Sequence, residues 1–227
     1  MTREQCIAQL IELLLAAMPE YKREAAEVPQ DARSLFVLTT NVDHAFQRAG
    51  FPKERLFYTQ GDYGLFQSSE PAGLTATKTY DNKDSVEAML HAEGWAFTPD
   101  GDIYVPEGQQ AAMRIPSDLV PFCPDDGAPM TTNLRADDSF VEDAGWHAAC
   151  ERYQAFLART TDARVLYLEL GVGENTPGII KFPFWRRTEA NPRARYACVN
   201  PTPQYIPDSI ADRACLFPCG VAQAVRA

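Results

Sequence analysis

Apolar residues recur at Ile7, Leu10, Ile11, Leu14, Leu15 and Met18, the three- and four-residue spacing of an amphipathic helix over residues 3–18. The run SLFVLTT (34–40) is almost continuously apolar, as in a strand covered on both faces. A short helix over 42–49 follows, with Gly50 as its stop, and RLFYTQ (55–60) reads as a second strand. Residues 84–92 form the next predicted helix, opened near Asn82 and closed by Gly94. From Gly61 to Asp137 the texture changes: Gly, Pro, Asp and Ser become frequent, and Pro99-Asp100-Gly101 is a turn signal. Helical spacing returns over 139–159. A strand (164–170), a glycine loop (171–177), a partly helical aromatic-rich segment (177–188), a strand (194–200) and a last strand (214–217) complete the chain. Strands alternating with helices predict an α/β fold, a largely parallel sheet with helices on both faces. The change of texture predicts two domains, one from residues 1–60 and 138–227, the other a small insertion at 61–137.

With 227 residues and 45% apolar content, the chain can bury a substantial core. Its 31 acidic and 21 basic residues give a net charge of −10, which excludes a nucleic-acid backbone or an anionic membrane surface as the expected partner. The longest apolar stretch, near Leu10–Met18, is interrupted by Glu12 and is too short to span a bilayer. The N-terminus lacks a signal-peptide pattern, so a cytoplasmic protein is expected. The six cysteines (Cys6, Cys123, Cys150, Cys198, Cys215 and Cys219) are scattered in a way that favours free, mostly buried thiols.

Four segments carry candidate chemistry. Thr39-Thr40-Asn41-Val42-Asp43-His44 lies where a buried strand gives way to a helix, the end of a parallel sheet at which ligands bind. Taken alone, its Asn41 or Asp43 is better explained as a helix N-cap. Tyr58-Thr59-Gln60-Gly61-Asp62-Tyr63-Gly64 ends the next strand and suits either a close ligand approach or a turn. Leu170-Gly171-Val172-Gly173-Glu174-Asn175-Thr176-Pro177 could bring backbone N–H groups to a phosphate, although Thr176 stands where the third glycine of a dinucleotide fingerprint would be. Cys123-Pro124-Asp125-Asp126-Gly127 looks like half a zinc knuckle with one thiolate replaced, and a plain loop explains it equally.

In order along the chain, TTNVDHAFQRAG, YTQGDYGLFQ, CPxxGxPMxxNLRxDxxFVED, ELGVGxNTPGIIKxPFW and NPxAxYACVN resemble the sirtuin family, over about residues 34–200. The resemblance is greatest to the macrodomain-linked, ADP-ribosylating (class M) sirtuins. It implies a Rossmann-like domain, a small inserted domain that often binds zinc, and NAD bound between them. It also implies that Asn41 and Asp43 hold the nicotinamide ribose, with Thr40 as a further cofactor contact. On the same footing Gly171, Gly173, Asn175 and Thr176 line the adenosine side of the cofactor, and Asn200 lies near the adenine ribose.

The chain departs from the family pattern in three ways. Gln60 stands where deacylating sirtuins carry a histidine base, and a neutral amide can orient a group but not take its proton. The same glutamine marks the ADP-ribosylating branch. His44 is the alternative base, but as a residue of the predicted helix its direction would be set by that helix. The zinc pattern is reduced to Cys123, with Asp126 at its partner position and no cysteine over 68–72, so zinc is not expected. The small domain would then rest on Leu65, Phe66, Met89, Leu90 and Trp95. Finally, nothing before Ser34 matches the family's opening strand and Gly-Ala-Gly-x-Ser loop: either Met1 is not the natural start or the chain is an N-terminally shortened relative.

The resulting expectation is an NAD-dependent ADP-ribosyltransferase with Asn41, Asp43 and Gln60 as catalytic residues. Its acceptor would be a protein, and the resemblance points to a lipoyl carrier and to a functional link with a macrodomain hydrolase. A deacylase using another histidine, or a truncated and inactive NAD- or protein-binding module, are the alternatives.

Overall fold

The computed structural model describes residues 35–99, 101–173 and 176–224. The predicted helix at 3–18, Cys6 and Asn175 lie outside the described residues. The elements in order are β1 (Val37–Thr39), α1 (Ala45–Arg48), β2 (Leu56–Tyr58), β3 (Gly61–Ser68), β4 (Tyr80–Asp81), α2 (Lys83–Glu93), β5 (Ala96–Phe97), β6 (Ile103–Tyr104), β7 (Met130–Leu134), α3 (Ala144–Arg159), β8 (Leu166–Leu170), α4 (Lys181–Ala190), β9 (Arg195–Val199), β10 (Ala214–Phe217) and α5 (Val221–Ala224). No helix among the described residues is long and apolar enough to cross a membrane. The chain divides into two compact units. One holds the described residues up to Thr40, Phe46–Phe57 and those from Cys150 onward; the other holds Asn41–Ala45 and Tyr58–Ala149.

In the first unit β8, β9 and β10 form a parallel sheet in the order β10-β9-β8. The central strand is buried on both faces. Alternation along β9 sends Tyr196 and Cys198 into a cluster with Tyr167, Ala194 and Ile210, and sends Ala197 and Val199 toward Ala224. Helix α4 joins β8 to β9 as a parallel crossover requires, and Arg213 closes its last turn by donating from Nη1 to the Thr188 and Asn191 carbonyls (2.5 and 2.9 Å). The predicted parallel sheet is therefore present in part: β1 and β2 make a separate two-stranded sheet. Within the same unit, Phe36 meets Tyr153 and Phe156 with ring centroids 5.3 and 5.4 Å apart.

The second unit is antiparallel, with sheets β4-β3-β7 and β5-β6. Sequence reading put an irregular region where β3 begins. Its interior is more polar than expected. Phe66 is buried, but Leu65, Met89, Leu90 and Trp95 are only half-buried. Gln67, 1% exposed, accepts at Oε1 from Asn133 Nδ2 (2.8 Å) and Val141 N (3.0 Å) and donates to the Ser139 carbonyl (2.7 Å). Asn133 also donates to the Val141 carbonyl (2.9 Å), so these buried amides are satisfied by one another and by the backbone.

The predicted helix at 42–49 shrinks to Ala45–Arg48. The cause is local: Asp43 Oδ1 accepts from Ala45 N (3.0 Å), and His44 takes a left-handed backbone with φ 57°. The helix expected from residue 139 starts at Ala144, because Asp143 accepts from Trp146 N (2.7 Å) and fixes the first turn there.

Candidate functional site

Asn41, Asp43 and Gln60 all fall in the second unit. The loop 41–44 is tied to β3 by the Tyr63 N–H, which donates to the Val42 carbonyl (3.2 Å). Asn41 and Asp43 are exposed. Asp43 spends one carboxylate oxygen on the Ala45 N–H, a local turn that precedes α1. Gln60 is half-buried in the turn before β3, where its carbonyl accepts from Arg135 N (2.9 Å). Gly61 follows with φ 107°, and any Cβ there would overlap the Asn133 carbonyl oxygen.

Sequence reading underrated two residues at this loop and on β3, His44 and Asp62. His44 is not a helix-face residue. Its Nε2 pairs with Asp62 Oδ1, and that buried carboxylate also accepts from Gly64 N (2.7 Å). A Cβ on Gly64 would sit 2.8 Å from His44 Cε1 and 3.1 Å from Asp62 Oδ1, so glycine is what lets the ring approach. The sequence signal was the DYG triplet after Gln60, which alone read equally well as a turn.

The glycine loop belongs to the first unit. Gly171 leaves β8 with φ 64°, its N–H donating to the Val199 carbonyl (2.9 Å). A Cβ at Gly171 or Gly173 would meet no described atom within 4 Å. Thr176 is exposed. Asn200, 6% exposed, is committed to the protein: Nδ2 donates to the Val172 carbonyl (3.0 Å), and Oδ1 accepts from Thr202 N and Oγ1 (3.1 and 2.8 Å). It shapes the loop rather than offering a free amide. Thr40, half-buried, follows β1 in this unit.

Behind the loop lies a buried ionic network that sequence reading missed. Glu169 Oε1 accepts from Lys181 Nζ (2.6 Å) and Oε2 from the Tyr196 hydroxyl (2.6 Å); the Cys198 thiol lies 3.4 Å from Oε1. Lys181 also donates to Gln204 Oε1 (2.6 Å). Burial and then the Glu169 contacts hold the Tyr196 hydroxyl far above the usual phenol range, and burial pushes the Cys198 thiol up to about 11. The network links β8, α4, β9 and the segment after Asn200, the supports on either side of the glycine loop.

The residues at the half-knuckle do not fit the structural zinc that the resemblance raises. Among the described residues Cys123 is the only thiol there, and it donates to the Tyr80 hydroxyl (3.2 Å). Tyr80 in turn donates to Asp125 (2.5 Å), which also pairs with Lys78. The Asp126 carboxyl is held at about 2, first by the Ala128 N–H (2.9 Å) and then by contacts with Ser68, Cys123 and Thr75. One thiol beside two carboxylates lacks the thiolate and imidazole set of a structural zinc site, and among the described residues no group of three His, Cys, Asp or Glu could hold a metal ion.

No family model matches the chain. It is 37% identical over 184 residues, 81% of its length, to a "Protein ADP-ribosyltransferase" of Staphylococcus aureus, of which the match covers 52%. It is 31% identical over 156 residues, 68% of its length, to a "Probable bifunctional ADP-ribose hydrolase/ADP-ribosyltransferase" of Fusarium oxysporum, of which the match covers 23%. The chain thus spans about half the length of the first of these relatives and under a quarter of the second, and its similarity is to proteins named for ADP-ribosyl transfer.

Proposed function

We propose that this chain is an NAD-dependent protein ADP-ribosyltransferase of the sirtuin type. The observation that carries the reading is the 37% identity to a named protein ADP-ribosyltransferase over 81% of the chain. The exposed Asn41 and Asp43, and the absence of any described atom within 4 Å of a Cβ at Gly171 or Gly173, are consistent with it. On this reading the fold is a Rossmann-like domain carrying a small inserted domain.

NAD is the substrate that supplies the ADP-ribosyl group. Asn41 and Asp43 hold the nicotinamide ribose, and the Asp43 carboxylate stabilises positive charge as it develops on the sugar. Gln60, a neutral amide, orients the ribose or the incoming group without taking its proton. Gly171, Gly173, Asn175 and Thr176 receive the adenosine side, with Asn200 bracing that loop through Val172. The acceptor is a protein, for which a lipoyl carrier is the first candidate. The relative whose name joins ADP-ribose hydrolase to ADP-ribosyltransferase supports a link to a macrodomain-type hydrolase that removes the modification.

The test is incubation with adenine-labelled NAD and a lipoyl carrier protein, following free nicotinamide and labelled carrier. Transfer should occur and should fall by about 100-fold or more in Asp43→Ala and Asn41→Ala, the scale of losing one preorganised electrostatic group. A folded chain that neither binds NAD by calorimetry nor releases nicotinamide refutes the reading. NAD consumption only in the presence of an acyl-lysine peptide would replace it with deacylation.

A further inference from the structure

We propose that His44 and Asp62 form a general-base dyad, in which Asp62 holds the imidazole and His44 Nδ1 takes the proton of the attacking group. This rests on the transferase reading above.

Four observations bear on it. Asp62 is 7% exposed, and its Oδ1 is fixed by the Gly64 N–H as well as by the imidazole. A carboxylate on Nε2 keeps the proton at that nitrogen, so the lone pair resides on Nδ1. The His44 side chain is 38% exposed, against 10% for Asp62, so the ring is anchored from inside and reachable from outside. A polar contact with one partner this exposed is a weak source of stability. Yet His44 is held at φ 57°, a backbone region that non-glycine residues rarely occupy and that persists where surrounding contacts enforce it. Those contacts are specific: Gly64 must lack a Cβ for the ring to lie where it does. The dyad also neighbours the candidate residues in sequence. His44 follows Asp43 directly, and Asp62 lies two residues beyond Gln60.

The acceptor atom of an X–H group bonds to the anomeric carbon of the ADP-ribosyl unit. The bond from that carbon to nicotinamide breaks, and its electron pair leaves with nicotinamide as a neutral molecule. The X–H proton passes to His44 Nδ1 and then to solvent.

The experiment measures nicotinamide release from NAD with water as the acceptor, in the full chain. His44→Asn removes the base but tolerates the left-handed backbone. It should keep the melting temperature within a few degrees and lower release by about 100-fold or more, as loss of a general base does. His44→Gly leaves a ring-sized space at a permissive position, and added imidazole should restore at least about a tenth of wild-type release. Asp62→Asn should lower release and shift the His44 tautomer, seen by 15N imidazole NMR, away from the Nε2–H form of the wild type. Release in His44→Asn within about threefold of wild type, no rescue by imidazole, or an Nδ1–H tautomer in the wild type overturns the dyad while leaving ADP-ribosyl transfer standing. A wild-type chain that releases no nicotinamide with either water or a carrier protein overturns the transferase reading and the base role with it.

Discussion

Lys181→Met probes the network behind the glycine loop. The Glu169 side chain has no solvent exposure, and that of Lys181 only 6%. Methionine keeps most of the apolar stem, so packing changes little and the charge is what is lost. Two charge-assisted bonds of 2.6 Å disappear, to Glu169 and to Gln204. Glu169 keeps the Tyr196 hydroxyl at 2.6 Å, but its charge is left buried without a counter-ion. Removing one partner of a buried pair costs about 3–5 kcal/mol, and the retained tyrosine bond places the expectation near the low end, about 3 kcal/mol. Urea denaturation followed by fluorescence and by circular dichroism should show a midpoint lower by about 1 M or more, for m near 2–3 kcal/mol per molar. The double variant Lys181→Met, Glu169→Leu removes both charges and should be more stable than Lys181→Met alone. A single-variant loss under about 1 kcal/mol, or additive losses in the double variant, would show that the pair is not the buried, coupled unit described above.

Gly61→Ala should cost about 2–3 kcal/mol in the same assay, because φ is 107° and the new Cβ would meet the Asn133 carbonyl. Gly127→Ala, at φ 74° with nothing within 4 Å, should cost only about 1 kcal/mol. The carboxyl of Asp126 sits at about 2, below its ordinary value, so its contribution is complete above about pH 4 and is lost as pH falls toward 2. Thermal melts should therefore fall more steeply over that interval in the wild type than in Asp126→Asn. Burial raises the Cys198 thiol from 9.0 to about 11, so the folded state is favoured below pH 9 and loses that advantage as pH rises to about 11. Cys198→Ala should flatten the alkaline limb of the melting curve, and in the native wild type this thiol should resist alkylation.

Helix α2 was legible almost to the residue, since Asn82 opens it and Gly94, at φ 94°, closes it with its N–H on the His91 carbonyl. Strand β9 was legible because double burial makes it apolar from Tyr196 to Val199, and β8 and β10 were legible as short, mostly apolar runs on either side of it. Strand β3 was not. GDYGLFQS carries two glycines and an aspartate, and its inward residues include Gln67 and Ser68, so the hydrophobic pattern that marks a strand is absent where the interior is hydrogen-bonded. Asn41, Asp43 and Gln60 were named from the sequence, and the structure gathers them in one unit. The pairing of His44 with Asp62 was out of reach, because it depends on a left-handed φ and on the absent Cβ of Gly64. The Glu169–Lys181 pair was equally hidden: each charge, read alone, belongs on a surface.

The register break in β3 sets limits on how this chain can change length. Asp62 opposes Asn133 and Phe66 opposes Thr132, so Tyr63, Gly64 and Leu65 have no counterparts on β7. Their released backbone groups are used elsewhere: the Tyr63 N–H by Val42, the Gly64 carbonyl by the Asn82 N–H (3.1 Å) and the Tyr63 carbonyl by the Asn82 side chain (2.7 Å). One residue inserted or deleted here would reverse the facing of everything beyond it and detach the loop bearing Asn41 and Asp43. The β5–β6 hairpin carries no such obligation. Natural or engineered variation in length should accumulate at that hairpin and be purged between Gly61 and Phe66.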